Sequence, residues 1–227
     1  LAEDLQEFLE GLGSATVHIV GHSLGARVAM LALESSHFRI ASLTLVDAGP
    51  EVSQEAGERL LDDVMKMPAY YADAQDHLDC LARIYVMGDA EALAYVARFG
   101  LRINRGRLRA KTDPAFTPGI WHTNPEFRNL HSDRGELSEQ IWKALESLDM
   151  PVHIVRGQAS SILESSLALK MVEKLGDRGA LSVVPRAGHA VMLDNPVKSI
   201  SLIARFIRDA DKVEDPARAE KKLESRV

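Results

Sequence analysis

Apolar positions in this chain follow two periods that alternate along its length. Leu1, Leu5, Phe8, Leu9 and Leu12 recur at helical spacing and predict a first helix, ended by Gly11 and Gly13. Residues 16–20 are a short β-branched run and predict a strand, and residues 26–34 return to helical character. Residues 41–46 read as a second strand, closed by the turn residues Asp47, Ala48, Gly49 and Pro50. The same alternation returns near the other end. A helix carries Leu137, Ile141, Trp142 and Leu145, and a strand over 152–155 is introduced by Pro151. A helix over 163–175, a strand over 181–184 and a last helix over 195–209 follow, with Asn195 as N-cap and Pro196 at the first helical position.

Between these two stretches the pattern changes. Helical spacing dominates at Leu60, Leu61 and Val64, at Leu78, Leu81, Ile84 and Tyr85, and at Leu93, Val96 and Ala97, with Pro68, Gly88 and Gly100 as separators. A loop-rich stretch over 111–125 carries Pro114, Pro118, Gly119 and Trp121. No strand of substance is predicted here, so the insertion is expected to be all-helical. Alternating βα units on either side predict an α/β fold with a mostly parallel sheet and flanking helices. The expected organisation is a core from residues 1–50 and 132–212, a helical cap or lid over 51–131, and a charged, solvated tail over 213–227.

Composition narrows the function. A net charge of −6 argues against nucleic acid or an anionic membrane as main partner; the partner expected is a small-molecule substrate. No apolar run approaches the ~20 residues of a membrane helix. Cys80 is the only cysteine, so no internal disulfide is possible; this fits a reducing, cytoplasmic setting. It lies in an apolar helical stretch and is expected to be a small buried side chain. The start, Leu1-Ala2-Glu3-Asp4, is neither a signal peptide nor an ordinary initiation sequence, which suggests part of a longer chain.

The most informative segment is Gly21-His22-Ser23-Leu24-Gly25, set between a strand and a helix. A serine between two glycines on a sharp strand-to-helix turn lifts its hydroxyl clear of the sheet, with small neighbours letting strand and helix approach. A serine hydroxyl needs a base, and the chain has eight histidines. His189 follows Ala187 and Gly188 on a loop just past a strand's carboxyl end, where open α/β sheets bind ligands. His18 and His153 fall within strands and are expected to pack inside the sheet. His22 belongs to the elbow and helps shape it. His37, His77, His122 and His131 look like surface or insertion residues. None pairs with Cys, Asp or Glu at a convincing metal spacing.

Four segments together resemble the α/β-hydrolase superfamily: residues 21–25, 45–51, 151–157, and 187–196 with its Ala-Gly-His start. The similarity spans nearly the whole chain, and the insertion matches that family's cap or lid. The resemblance implies a serine hydrolase acting on an ester, lactone or similarly activated carbonyl through an acyl-enzyme, with no cofactor. In that scheme Ser23 is the nucleophile, His189 the base, and the Leu24 N–H an oxyanion donor. Trp121 and Phe127 of the cap are candidate pocket walls. A serine rather than an aspartate at the elbow argues against the dehalogenase and epoxide-hydrolase branches.

Two positions depart from the family pattern. Relatives usually carry an aspartate after the next-to-last strand, in a stretch like Arg-Gly-x-x-Ser-Asp. Here Arg156-Gly157-Gln158-Ala159-Ser160-Ser161 places Ser161 at that position. Asp47, at the end of the strand following the elbow helix, is the alternative acid; a turn aspartate bonding its own backbone is the competing reading. Glu164 is a weaker candidate that would open the next helix. At the front, no segment supplies the second oxyanion donor, and the first three or four strands of the fold are expected to come from elsewhere, including a second polypeptide. Losing the acid allows a non-catalytic ligand-binding or receptor protein on the same fold, and a cofactor-free lyase or oxygenase is the remaining alternative.

Overall fold

A computed structural model describes residues 1–13, 16–34, 38–112 and 134–214. Its elements follow the two-period pattern. The first half has α1 (Ala2–Gly11), β1 (Val17–His22), α2 (Leu24–Leu33) and β2 (Ile40–Val46). The insertion has α3 (Gln54–Met65), β3 (Tyr70–Tyr71), α4 (Ala74–Ile84), α5 (Ala90–Phe99), β4 (Leu101–Asn104) and β5 (Arg107–Ala110). The last part has α6 (Arg134–Ser147), β6 (Val152–Gly157), α7 (Ser165–Leu175), β7 (Gly179–Val184), α8 (Val191–Asp194) and α9 (Pro196–Glu214).

The main sheet has the order β1-β2-β6-β7, and all three pairings are parallel. β1 and β2 keep one register from His18 with Ser42 to His22 with Val46, after a one-residue shift between Val17 and His18, and Val46 faces Val155 on β6. The insertion therefore leaves the sheet after β2, and β6 returns beside β2. This brings the carboxyl ends of β1, β2 and β6 to one edge, although about 110 residues separate the second from the third.

Alternation within the strands sends side chains to two unlike faces. Leu43, Leu45, Val152 and Ile154 face a core shared with α1, α2, α6 and α7, where Met30, Leu145 and Met171 are fully buried. The opposite residues meet α9. At its upper end Val46, Val155 and Val184 pack with Val191, Leu202 and Ile203. Lower down the face turns polar. His18 donates from Nε2 to Asp211 at 2.9 Å, and the Ser42 hydroxyl meets His18 Nδ1 at 2.8 Å. His153 bonds the Ser182 hydroxyl through Nε2 at 2.9 Å, lies 4.7 Å from the Phe206 ring, and leaves Nδ1 buried without a partner. Both strand histidines thus pack in the sheet as expected. Burial pushes the His153 pKa down to about 4.

The all-helical expectation for the insertion is corrected. β3, β5 and β4 form a small antiparallel sheet in that order. β3 is only Tyr70-Tyr71, and β4 (Leu-Arg-Ile-Asn) and β5 (Arg-Leu-Arg-Ala) alternate apolar and polar positions over just four residues each, too short a run to stand out beside the helical spacing around it. The helices are as expected: Leu81, Leu93 and Ala97 form a local core with Leu78, Tyr85 and Val96. Asp73 and Asp89 cap α4 and α5 by accepting from backbone amides. Cys80 is buried there, with the Tyr71 hydroxyl directed at its sulfur at 3.9 Å. The insertion docks on the core where Asp89 N–H donates to Leu193 O at 2.7 Å. Among the described residues no helix is long and apolar enough to cross a membrane.

At the β1–α2 turn the two glycines have different reasons. A Cβ on Gly21 would lie 2.7 Å from the backbone N and Cα of Ala26, so strand and helix can meet only over a glycine. Gly25 is exposed and a Cβ there would touch nothing within 4 Å, which corrects the expectation that both neighbours must be small. Gly21→Ala is expected to destabilise the fold by about 2 kcal/mol or more, and Gly25→Ala to change it by less than about 0.5 kcal/mol, read by chemical denaturation. Equal effects would refute the close approach. His153 yields a second expectation. Because its folded pKa lies below the unfolded value, the neutral ring favours folding above pH 6.5, and that stability is lost as pH falls toward 4. Wild-type stability should drop by about 1 kcal/mol more than that of His153→Asn between pH 7 and pH 5.5. Parallel pH profiles would remove His153 from the account.

Candidate active site

Ser23 sits at the turn itself, with φ 53° and ψ −120°, a conformation that a non-glycine residue adopts only when surrounding structure enforces it. Three bonds do so: Ser23 N–H donates to Val46 O at 3.0 Å, and Ser23 O accepts from Ala26 and Arg27 as α2 begins. The result places Oγ above the carboxyl edge of the sheet. The next residue, Leu24, is the first of α2; its N–H has no acceptor within the helix and points from the positive end of the helix dipole.

His189 reaches this hydroxyl from the loop between β7 and α8. Its Nε2 lies 2.9 Å from Ser23 Oγ and its Nδ1 lies 2.9 Å from Asp47 Oδ2. The ring is partly exposed, with 17% of the side chain accessible, while Asp47 has none. With Nδ1–H donating to the carboxylate, the Nε2 lone pair faces the serine O–H, the tautomer a general base needs.

The loop that presents the ring is held from three sides. Gly188 N–H donates to the Asp194 carboxylate at 2.7 Å. Burial is the main cause that raises the Asp194 pKa. The carbonyl of His189 accepts from His22 Nε2 at 2.9 Å, and the two rings lie 4.7 Å apart at 36°. Burial lowers the His22 pKa, opposed by the hydrogen bond to the His189 carbonyl. His22 was expected to shape the elbow; its bond goes to the histidine loop instead. Gly157, at the end of β6, completes the support, because a Cβ there would overlap the carbonyl oxygen of Gly188.

Asp47 separates the two readings left open by the sequence. Its side chain turns away from its own Gly49-Pro50 turn and toward the β6 end. Oδ1 accepts from Gly157 N–H at 2.8 Å, and Oδ2 accepts from the Ser160 hydroxyl at 2.5 Å as well as from His189. Like Ser23, Asp47 has a positive φ, here 50°, and its own N–H donates to Val155 O at 2.8 Å. Ser161, at the position where an acid was sought, is exposed. Glu164 stands at the N-cap of α7 with no side-chain cap bond, in keeping with a helix-opening position. Ser160 was not singled out by sequence reasoning. The signal available was its place one residue before Ser161 in the loop already searched for an acid.

Trp121 lies outside the described residues, as do Phe127, His37, His122, His131 and nearly all of the expected tail. His77 is buried on α4 with Nδ1 donating to Ala97 O at 3.1 Å. Among the described residues no group of three His, Cys, Asp or Glu side chains could hold a metal ion. The chemistry open to the site is proton transfer between a serine hydroxyl and an imidazole oriented by a buried carboxylate.

Comparison with known proteins agrees with this architecture. The chain is 26% identical over 216 residues to 2-(acetamidomethylene)succinate hydrolase of Mesorhizobium japonicum, covering 91% of this chain and 69% of that protein. It is 24% identical over 212 residues to a protein of Bacillus subtilis described as a putative 2-succinyl-6-hydroxy-2,4-cyclohexadiene-1-carboxylate synthase, covering 90% and 70%. The crystal structure of E-2-(acetamidomethylene)succinate hydrolase superposes with a TM-score of 0.75 at 26% identity, over 91% of this chain and 72% of that one. An alpha/beta hydrolase from Novosphingobium aromaticivorans superposes with a TM-score of 0.69 at 28% identity, over 91% and 70%. The model of the alpha/beta hydrolase family matches residues 1–200, and the chain belongs to that family.

Proposed function

We propose that this protein is a serine hydrolase that cleaves an ester, lactone or similarly activated carbonyl through an acyl-enzyme. One observation carries the reading: the unbroken line of hydrogen bonds from Ser23 Oγ through His189 to a carboxylate with no exposed surface. The relative from Mesorhizobium japonicum is named as a hydrolase, which supports the reaction class.

Ser23 Oγ attacks the carbonyl carbon while His189 Nε2 takes its proton. The imidazolium that forms is paired with Asp47, whose charge is spread over donors from Gly157 and Ser160. The tetrahedral oxyanion is met by the Leu24 N–H at the start of α2, where the helix dipole favours negative charge. His189 then protonates the leaving group, and water attacks the acyl-enzyme with the same ring as base. Trp121 remains a candidate pocket wall. The synthase named among the relatives makes product analysis a necessary companion, because a lyase on this scaffold would release no carboxylic acid from a simple ester.

Hydrolysis of short-chain 4-nitrophenyl esters should be lost in Ser23→Ala, and a fluorophosphonate should label wild type but not that variant. Unlabelled wild type would favour a non-catalytic binding protein. Asp47→Asn should lower kcat by about 10⁴-fold. Ser160→Ala removes one donor to a charged group and should cost about tenfold, whereas Ser161→Ala should leave kcat within about twofold. An Asp47→Asn enzyme with unchanged kcat would sink the assignment of the acid.

A further inference from the structure

One strip of the insertion carries charge that no carboxylate neutralises among the described residues. Residues 98–111 include Arg98, Arg102, Arg105, Arg107, Arg109 and Lys111 and no Asp or Glu, in a chain whose net charge is −6. Elsewhere basic side chains meet carboxylates, as in Lys170 with Glu51 at 3.3 Å and Lys174 with Glu146 at 2.9 Å. None of the six forms an ion pair among the described residues. Arg107 lies 4.1 Å over the Tyr70 ring and Arg98 5.1 Å over Phe99, so each of these has an aromatic partner.

Arg102 and Arg109 have no such explanation. They are direct partners across the β4–β5 ladder, which puts two guanidinium groups on one face of a two-stranded pair. Like charges in that relation destabilise a sheet. Lys111 extends the same row, two residues beyond Arg109, with its N–H donating to Gly100 O at 2.8 Å. Arg109 and Lys111 also line a cavity of about 290 Å³. Its other walls include Leu81, Val96 and Leu193. Leu193 belongs to α8, which begins two residues after His189, so the cavity lies between the insertion and the element that carries the histidine loop.

We propose that this cavity holds the carboxylate-bearing end of the substrate: an acyl compound with a second, ionised carboxyl group. Its aliphatic part rests on Leu81, Val96 and Leu193, and its carboxylate is held by Arg109 and Lys111. A guanidinium offers paired donors that match a carboxylate, and apolar walls strengthen the field of the two cations. An anion seated there also relieves the repulsion between Arg102 and Arg109, so an arrangement that costs energy in the empty protein favours binding. The identification of this ligand as a substrate rests on the serine-hydrolase reading; the preference for an anion does not.

The test uses the Ser23→Ala protein, in which turnover is removed, and two ligands that differ in one charge. Calorimetric titration with monobenzyl succinate and with the neutral benzyl methyl succinate should give at least about tenfold tighter binding of the monoacid. Added Arg109→Ala should reduce that preference to within about twofold of unity, with partial recovery in Arg109→Lys. Arg105→Ala, which removes the same charge from the exposed turn, should preserve it. Raising salt from 20 to 300 mM should weaken binding of the monoacid and leave the neutral ester unaffected, a readout that needs no cavity variant to fold. Equal affinity for the two ligands, binding of neither, or equal losses from Arg105→Ala and Arg109→Ala would overturn the proposal. Failure of the hydrolase reading looks different: wild type would cleave neither ester while Ser23→Ala still preferred the monoacid.

Discussion

Asp47 is wholly removed from solvent, and an ionised carboxylate in that position persists only where donors replace its lost hydration. Three donors do so, and they come from distant parts of the chain: Gly157 N–H at the end of β6, the Ser160 hydroxyl in the following loop, and His189 Nδ1 after β7. The same contacts that stabilise the charge therefore tie the carboxyl ends of three strands together. Breaking any one leaves a buried charge short of a donor, which costs more than the bond itself is worth.

This constraint explains why the surroundings are so tightly specified. Gly157 must lack a side chain because the Gly188 carbonyl occupies that space, and its N–H must stay free to reach Asp47. His22 and Asp194 fix the backbone on either side of the His189 ring, one through its carbonyl and one through the preceding N–H. Ser23 and Asp47 share strained backbones at neighbouring strand ends, and each is secured to the next strand across, at Val46 O and Val155 O. The parallel order β1-β2-β6-β7 makes this possible, since it aligns the carboxyl ends that carry Ser23, Asp47 and Gly157.

The insertion has a looser logic. Its helices close a small core around Leu81, Leu93 and Ala97, yet its sheet is short and carries Arg102 and Arg109 with no ion pair among the described residues. Like charges paired across a ladder oppose folding, so stability does not account for such a surface. The polar face under α9 is the other place where packing gives way, with His18 and His153 each bonded to a hydroxyl on an adjoining strand and His153 Nδ1 left buried without a partner.

Local spacing determined much of this protein. The β-branched run before Gly21, the serine between glycines and the helical run after it define an elbow without reference to any other segment, because strand, turn and helix are all set by near neighbours. The alternation that gives a parallel sheet is equally local in origin. What spacing does not carry is which distant groups meet. Asp47 and Glu164 were both acids near strand ends, and only the pairing of β2 with β6 brings the former beneath His189. Ser160 became a partner of that acid, and Ser161 did not, because one residue of loop geometry turns the first inward. The strands of the insertion are not legible in the sequence because they are two to four residues long, too short for their alternation to outweigh the neighbouring helical spacing, and the pairing of β3 with β5 joins segments far apart in the chain. Gly25 looked equivalent to Gly21 in the motif, and the difference is solely what lies opposite each in space.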